Sequence, residues 1–134
     1  MPGNFFDSNV LLYIASGDSA KADRAEKLLG EGGAISVQVL NEVANVTRRK
    51  MHMAWSETHA FLSMLRGLLS VHAITVETHE AGLALAEAHK LSVYDAMIAA
   101  SALQADCETL WSEDMQHARV IGGRLRIVNP FRIR

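Results

Sequence analysis

Apolar and polar residues alternate along the chain in blocks whose spacing predicts a series of short elements. Residues 4–6 read as a strand that runs directly into Asp7-Ser8-Asn9 before the apolar residues resume at Val10. Residues 9–15 read as a helical turn or two, broken by Gly17-Asp18. Asp18 or Ser19 then caps a helix over 20–29, where Ala22, Ala25, Leu28 and Leu29 share a face; Gly30 and Gly32-Gly33 stop it. A small strand over 34–37 precedes a helix over 39–50, with Leu40, Val43 and Thr47 on one side. An amphipathic helix over 55–69 carries Leu62, Leu65 and Leu69. The β-branched residues of 71–76 predict a strand. Helices over 78–89 and 93–105 follow, then strands over 109–111 and 125–128, the last ended by Pro130.

Strands alternating with helices predict an α/β fold: three layers, α/β/α, around a central and mainly parallel sheet. In such folds the ligand crevice lies beyond the carboxyl ends of the strands. At 134 residues the chain reads as one domain, 1–134, able to bury about two-thirds of its unfolded surface.

Composition narrows this picture. Hydrophobic residues make up 49% and charged residues 21%, as in globular proteins, and no apolar run is long enough to cross a bilayer. The N-terminus lacks the pattern of a secretory signal, and the single Cys107 reads as a packed thiol in a reducing, cytoplasmic setting. The net charge of −2 conceals a basic tail: beyond Asp114 there are no acids but five arginines, Arg119, Arg124, Arg126, Arg132 and Arg134. A second basic cluster is Arg48-Arg49-Lys50. Local charge thus permits contact with nucleic acid, although global charge does not demand it.

Four acids fall where the crevice is expected. Asp7 follows the first strand, Glu42 lies early in the helix after the second, Asp95 opens the helix over 93–105, and Asp114 follows the strand over 109–111. Each has a plain structural reading as well. Asp7 and Asp114 suit caps, Ser92 and Asp95 have capping-box spacing, and Glu42 suits a surface position, although no basic residue stands three or four places after it. Taken together, they predict a carboxylate cluster, whose mutual repulsion calls for a cation. All-oxygen donors select Mg²⁺ or Mn²⁺, and the scattered histidines offer no zinc-finger spacing; His117 alone lies close to one of the acids in sequence. Such a site suits hydrolysis of phosphodiesters. Asp7 and Asp95 are the expected direct ligands, with Glu42 and Asp114 binding directly or through water. Ser8, Asn9 and Ser112 are the expected positioning groups.

The stretches Phe5-Phe6-Asp7-Ser8-Asn9-Val10, Val39-Leu40-Asn41-Glu42-Val43, Tyr94-Asp95-Ala96-Met97-Ile98-Ala99-Ala100 and Ser112-Glu113-Asp114-Met115 occur in that order. This set resembles the PIN-domain nucleases, in particular the VapC-type toxins of bacterial toxin–antitoxin pairs. The resemblance implies a parallel sheet between helical layers, cleavage of RNA that depends on a divalent metal, a cognate antitoxin that blocks the site, and a homodimer. By position it makes Asp7, Glu42, Asp95 and Asp114 the catalytic acids. Many relatives carry a further acid two residues after the last aspartate, where this chain has Gln116. Other classes fit less well. Phosphatases built on Asp-x-Asp need an acid where Asn9 stands, and receiver domains need a late lysine where only arginines occur. The alternative is a non-catalytic PIN-fold binding module with a weakened metal site. The helix over 55–69 reads either as core or as an apolar groove for an antitoxin segment.

Overall fold

The computed structural model describes residues 3–132. Strand β1 is Gly3–Phe6, followed by the short helix α1, Ser8–Leu12, a 3-10 turn Tyr13–Ala15, and α2, Ser19–Gly30. Then come β2, Ala34–Ser36; α3, Val37–Arg49; α4, Trp55–Leu68; β3, Ser70–His72; α5, Val76–His89; and α6, Val93–Gln104. The chain ends with β4, Cys107–Trp111; β5, Val120–Ile121; and β6, Leu125–Val128.

Six strands form one sheet in the order β3-β2-β1-β4-β6-β5, parallel except for the β5–β6 pair. The steps from β1 to β2 and from β2 to β3 run the same way across the sheet, and the step from β3 to β4 reverses. Right-handed crossovers therefore put α2–α4 on one face and α5–α6 on the other, giving three layers. The reversal makes the carboxyl ends of β1 and β4 the topological switch point, where an α/β crevice opens.

Central β1 is covered on both faces, as the full burial of consecutive Phe5 and Phe6 requires. Around it the core gathers Val10, Leu11, Ile35, Val39, Leu110, Leu125 and Ile127. At about 25 cal/mol per Å² of buried apolar surface, these side chains dominate the stabilising terms. Helix α6 is buried on every side from Ala96 to Ala102, because its alanines let it lie close across β2, β4 and β6 with α5 packed on its back. Cys107 is buried, and a Cβ at Gly3 would meet its sulfur at 3.2 Å, so the thiol is a packing group.

Helix starts follow local capping. Asp18 accepts from Lys21 N–H at 3.2 Å, Ser36 from Val39 N–H at 3.4 Å, and Ser92 from Asp95 N–H at 3.2 Å. Thr75 accepts from Thr78 N–H at 3.1 Å and starts α5 at Val76. This corrects the third strand, expected over 71–76. The β-branched run suggested extension, but the Thr75–Thr78 cap claims its second half, and the strand is Ser70–His72. Strand β5 was also unforeseen. It pairs antiparallel with β6 around Gly122 and Gly123, both at positive φ, which lets two apolar residues fold back tightly. The stripe on α4 is mostly core: Leu65 and Leu69 are buried and Leu62 half-buried, while Trp55 is exposed. Among the described residues no helix is long and apolar enough to cross a membrane.

Candidate active site

Asp7 ends β1 and is 3% exposed. Its backbone N–H donates to Trp111 O at 2.9 Å, so the pairing of β1 with β4 fixes where the side chain starts. The carboxylate is held on both oxygens. Oδ1 accepts from Ser8 N–H at 2.7 Å, which makes Asp7 the N-cap of α1. Oδ2 accepts from Ser112 Oγ at 2.8 Å and from Asn9 Nδ2 at 3.2 Å. Capping and a role at the crevice therefore coexist, because α1 starts at the crevice.

Glu42 is half-buried on α3. Its Oε1 accepts from Ser8 Oγ at 2.8 Å, and its Oε2 accepts from Gln38 Nε2 at 3.3 Å. Ser8 thus joins the first two acids, one through its backbone and one through its hydroxyl. Gln38 also donates to Tyr94 O at 3.0 Å, tying α3 to the start of α6. Asp95 lies in the first turn of α6, half-buried, where the helix N-terminus favours a carboxylate. Asp114 is exposed beyond β4. Asn9 braces this loop by accepting from Glu113 N–H at 3.0 Å, and Ser112 Oγ accepts from Met115 N–H at 3.3 Å.

Electrostatics link the four acids. Burial pushes the Asp7 carboxyl up to about 6; the Ser112 and Ser8 hydrogen bonds lower it, while the charges of Glu42 and Asp95 raise it. Burial also raises Asp95, partly offset by Ser92 and reinforced by the charge of Asp114. Asp7, Glu42 and Asp95 thus sit within electrostatic reach of one another, and Asp114 joins through Asp95. Among the described residues, none of the four has a cationic partner; the ion pairs there are Lys21–Glu113 and Arg124–Asp106. A buried carboxylate beside like charges, with no cation, is an unfavourable arrangement unless something positive enters the cleft.

The donor chemistry fits a hard divalent cation: carboxylates surrounded by hydroxyl and amide groups, with no His or Cys among them. Among the described residues, no three His, Cys, Asp or Glu side chains already stand close enough to enclose an ion. Mg²⁺ does not require that, since it binds through one or two carboxylates and keeps several waters.

His117, noted for its nearness to Asp114 in sequence, and Arg48, noted for its charge, each have partners of their own. His117 accepts from Asn129 N–H at 3.0 Å through Nδ1 and belongs to the loop before β5. Arg48 donates to Met53 O and lies 4.2 Å from the Trp55 ring centroid, so it is a structural brace. Two features escaped the sequence reading. Gln38 stands one helical turn before Glu42, a spacing that alone singles out nothing. Glu113 forms a cluster at the mouth of the cleft, accepting from Tyr13 OH at 2.7 Å and Lys21 Nζ at 2.7 Å. Although burial opposes it, the bonds from Lys21 and Tyr13 hold the Glu113 carboxyl below its usual range.

A family model described as the PIN domain matches residues 5–122. The chain is similar in structure to a protein of a toxin–antitoxin complex from Klebsiella pneumoniae, with 24% identity, coverage of 97% of this chain and 99% of that one, and a TM-score of 0.73. It is similar to VapC20 of Mycobacterium tuberculosis, described as a sarcin–ricin-loop cleaving toxin, with 18% identity, 83% and 89% coverage and a TM-score of 0.67. It also resembles a chain of the DNA-bound VapBC from Salmonella typhimurium, at 19% identity, 95% and 97% coverage and a TM-score of 0.69. At these identities the likeness is one of fold. Among curated proteins no match is found.

Proposed function

This chain belongs to the PIN-domain family, and on that footing we propose that it is a ribonuclease dependent on Mg²⁺ or Mn²⁺, the toxin of a toxin–antitoxin pair. The observation that carries the reading is Asp7: buried, flanked by the like charges of Glu42 and Asp95, and without a cationic partner among the described residues. Asp7 and Asp95 are the residues that would hold the cation. A divalent ion held there would supply polarisation of the scissile phosphate and a more acidic water. Ser112 and Asn9 fix the Asp7 carboxylate in one orientation, and Ser8 and Gln38 do the same for Glu42, which places it to orient water in the cleft. Asp114, exposed at the rim, adds negative charge facing Asp95. The same acidity suits an antitoxin that inserts a basic side chain, which would neutralise the cluster and block substrate at once.

The test is cleavage of a panel of RNAs by the wild type and by Asp95→Asn, with Mg²⁺ and with EDTA. Wild-type cleavage should require the metal. The variant should be slower by about a hundredfold or more, since the change keeps the shape and removes one charge from the cluster. Equal rates would remove Asp95 from the site. Cleavage of no RNA by either protein would favour the binding-module reading, to which Gln116 lends its one support.

Ser112→Ala should slow cleavage by about 10–100-fold, because it removes the hydrogen bond that orients Asp7 and leaves the carboxylate itself in place. Its hydroxyl lowers the Asp7 carboxyl, so the acid limb of the pH–rate profile should move to higher pH. A slower enzyme with an unmoved limb would mean that Ser112 acts only on packing.

A further inference from the structure

The tail arginines divide into two kinds. Arg119 donates to His89 O, and Arg124 binds Asp106 at 3.3 Å and Leu103 O at 2.8 Å, so both brace the fold. Arg126 and Arg132 are exposed and have no acidic partner among the described residues. They meet Arg24 of α2 around a cavity of about 380 Å³ that Trp111 and His117 also line. Arg24 is held ready: its Nε donates to Pro130 O at 3.1 Å, and its guanidinium carbon lies 5.9 Å from the Trp111 ring centroid. His117 accepts through Nδ1, so its Nε2 carries the ring's N–H and is a donor.

A second cavity, of about 410 Å³, shares Arg24, Pro130 and Arg132 with the first and extends past Phe131 to Lys21. Lys21 lies 4.6 Å from the Tyr13 ring centroid and 5.2 Å from that of Phe131, and it pairs with Glu113 at the mouth of the acidic cleft. The result is a mainly basic track with aromatic rings beside it and Asp18 on its wall, running from β6, which lies inside the edge strand β5, to the Lys21–Glu113 pair. Its link to the cleft runs through Glu113, whose backbone N–H donates to Asn9 Oδ1 at 3.0 Å, while Asn9 Nδ2 donates to Asp7 at 3.2 Å. Guanidinium groups without acidic partners among the described residues, in cavities that Trp111 and Phe131 also line, suit a strand of single-stranded nucleic acid, whose phosphates need cations and whose bases stack on rings.

We propose that this track holds the stretch of RNA flanking the scissile phosphate, with Arg24, Arg126 and Arg132 on successive backbone phosphates. The inference rests on the ribonuclease reading for the class of its ligand. It is tested by fluorescence anisotropy with a labelled single-stranded RNA of mixed sequence, titrated in EDTA at several salt concentrations. The triple variant Arg24→Gln/Arg126→Gln/Arg132→Gln should lose about tenfold or more in affinity near 0.1 M salt. Its salt dependence should be shallower by about 2, since each phosphate contact on a single strand contributes about 0.7 to the slope. Arg126→Gln alone, a change to a side chain with no hydrogen bond among the described residues, should flatten the slope by about 0.7. The braced Arg124→Gln should bind less well only through any loss of stability seen by thermal melting.

Wild-type affinity and slope in the triple variant would overturn the proposal. So would unchanged RNA binding with lost binding of a co-expressed antitoxin, which would make the track a protein surface. Arginine-dependent binding by a wild type that cleaves nothing in Mg²⁺ would support the track and sink the ribonuclease reading. Full cleavage and full binding by the triple variant would sink the track alone.

Discussion

Asp7→Asn should reduce RNA cleavage by about a thousandfold, about 4 kcal/mol of transition-state stabilisation, and yet make the metal-free protein more stable at neutral pH. The two effects share one cause. In the fold, burial and like charges raise the carboxyl from 3.8 to about 6, so the folded state resists ionisation more than the unfolded chain does. Between these values the folded protein binds more protons than the unfolded one, and stability falls as pH rises. Above about pH 6 the whole penalty is present, about 3 kcal/mol for a shift of about two units. Asparagine removes that penalty but loses hydrogen bonds whichever way its amide lies, because both oxygens it replaces accept: one from Ser8 N–H, the other from Ser112 and Asn9. A net gain of about 1–2 kcal/mol is expected, a rise of several degrees in Tm. Melting curves in EDTA check it. The gap between variant and wild type should be widest above pH 6 and should close as pH falls toward 4. A variant less stable than wild type at pH 8 would show that Asp7 is a structural cap before it is a site.

The largest purely structural effect is expected from Gly33→Ala. Gly33 has φ +155, and a Cβ there would lie 2.6 Å from Asn4 O and 2.7 Å from the Phe6 ring. Neither obstacle yields easily, since one is backbone of the central strand and the other is a fully buried ring. Relief requires β2 to move off β1, breaking the register that sets Phe5 opposite Ala34. A loss of about 3 kcal/mol or more is expected, read as a drop in Tm or in denaturation midpoint. Cleavage should fall with it, because β2 carries α3 and Glu42. Gly30→Ala is the natural control. It lies at the end of α2 with nothing within 4 Å of the added carbon, and it should stabilise by about 0.5–1 kcal/mol. Equal effects from the two substitutions would mean that Gly33 is not the point of close approach.

The four acids were legible in the sequence because strand ends can be read from short apolar runs, and a parallel sheet brings its carboxyl ends to one edge. Ser8, Asn9 and Ser112 were legible for the same reason, being neighbours of those ends. The partnership of Ser8 with Glu42 was not, since it depends on how α3 rotates against β1, and packing rather than periodicity sets that rotation. Gln38 is hidden in the same way. The basic track is the clearest case: Arg24 and Arg126 are far apart in the chain and meet only because β6 pairs beside β4 under the layer that holds α2. The third strand shows the opposite failure. Local β propensity over 71–76 was real, but Thr75 supplied a helix start, and the cap outweighed the propensity.

The bond from Ser112 to Asp7 spans 105 positions of sequence and depends on pairing the first strand with the fourth. A chain growing from its N-terminus therefore releases Asp7 early and must wait for β4 and Ser112 before that carboxylate is oriented. On the proposed function, a nascent chain still held by the ribosome has no finished catalytic centre to turn on the RNA that is making it. The long-range closure that slows folding also delays the onset of activity until the fourth strand has been made and has paired with the first.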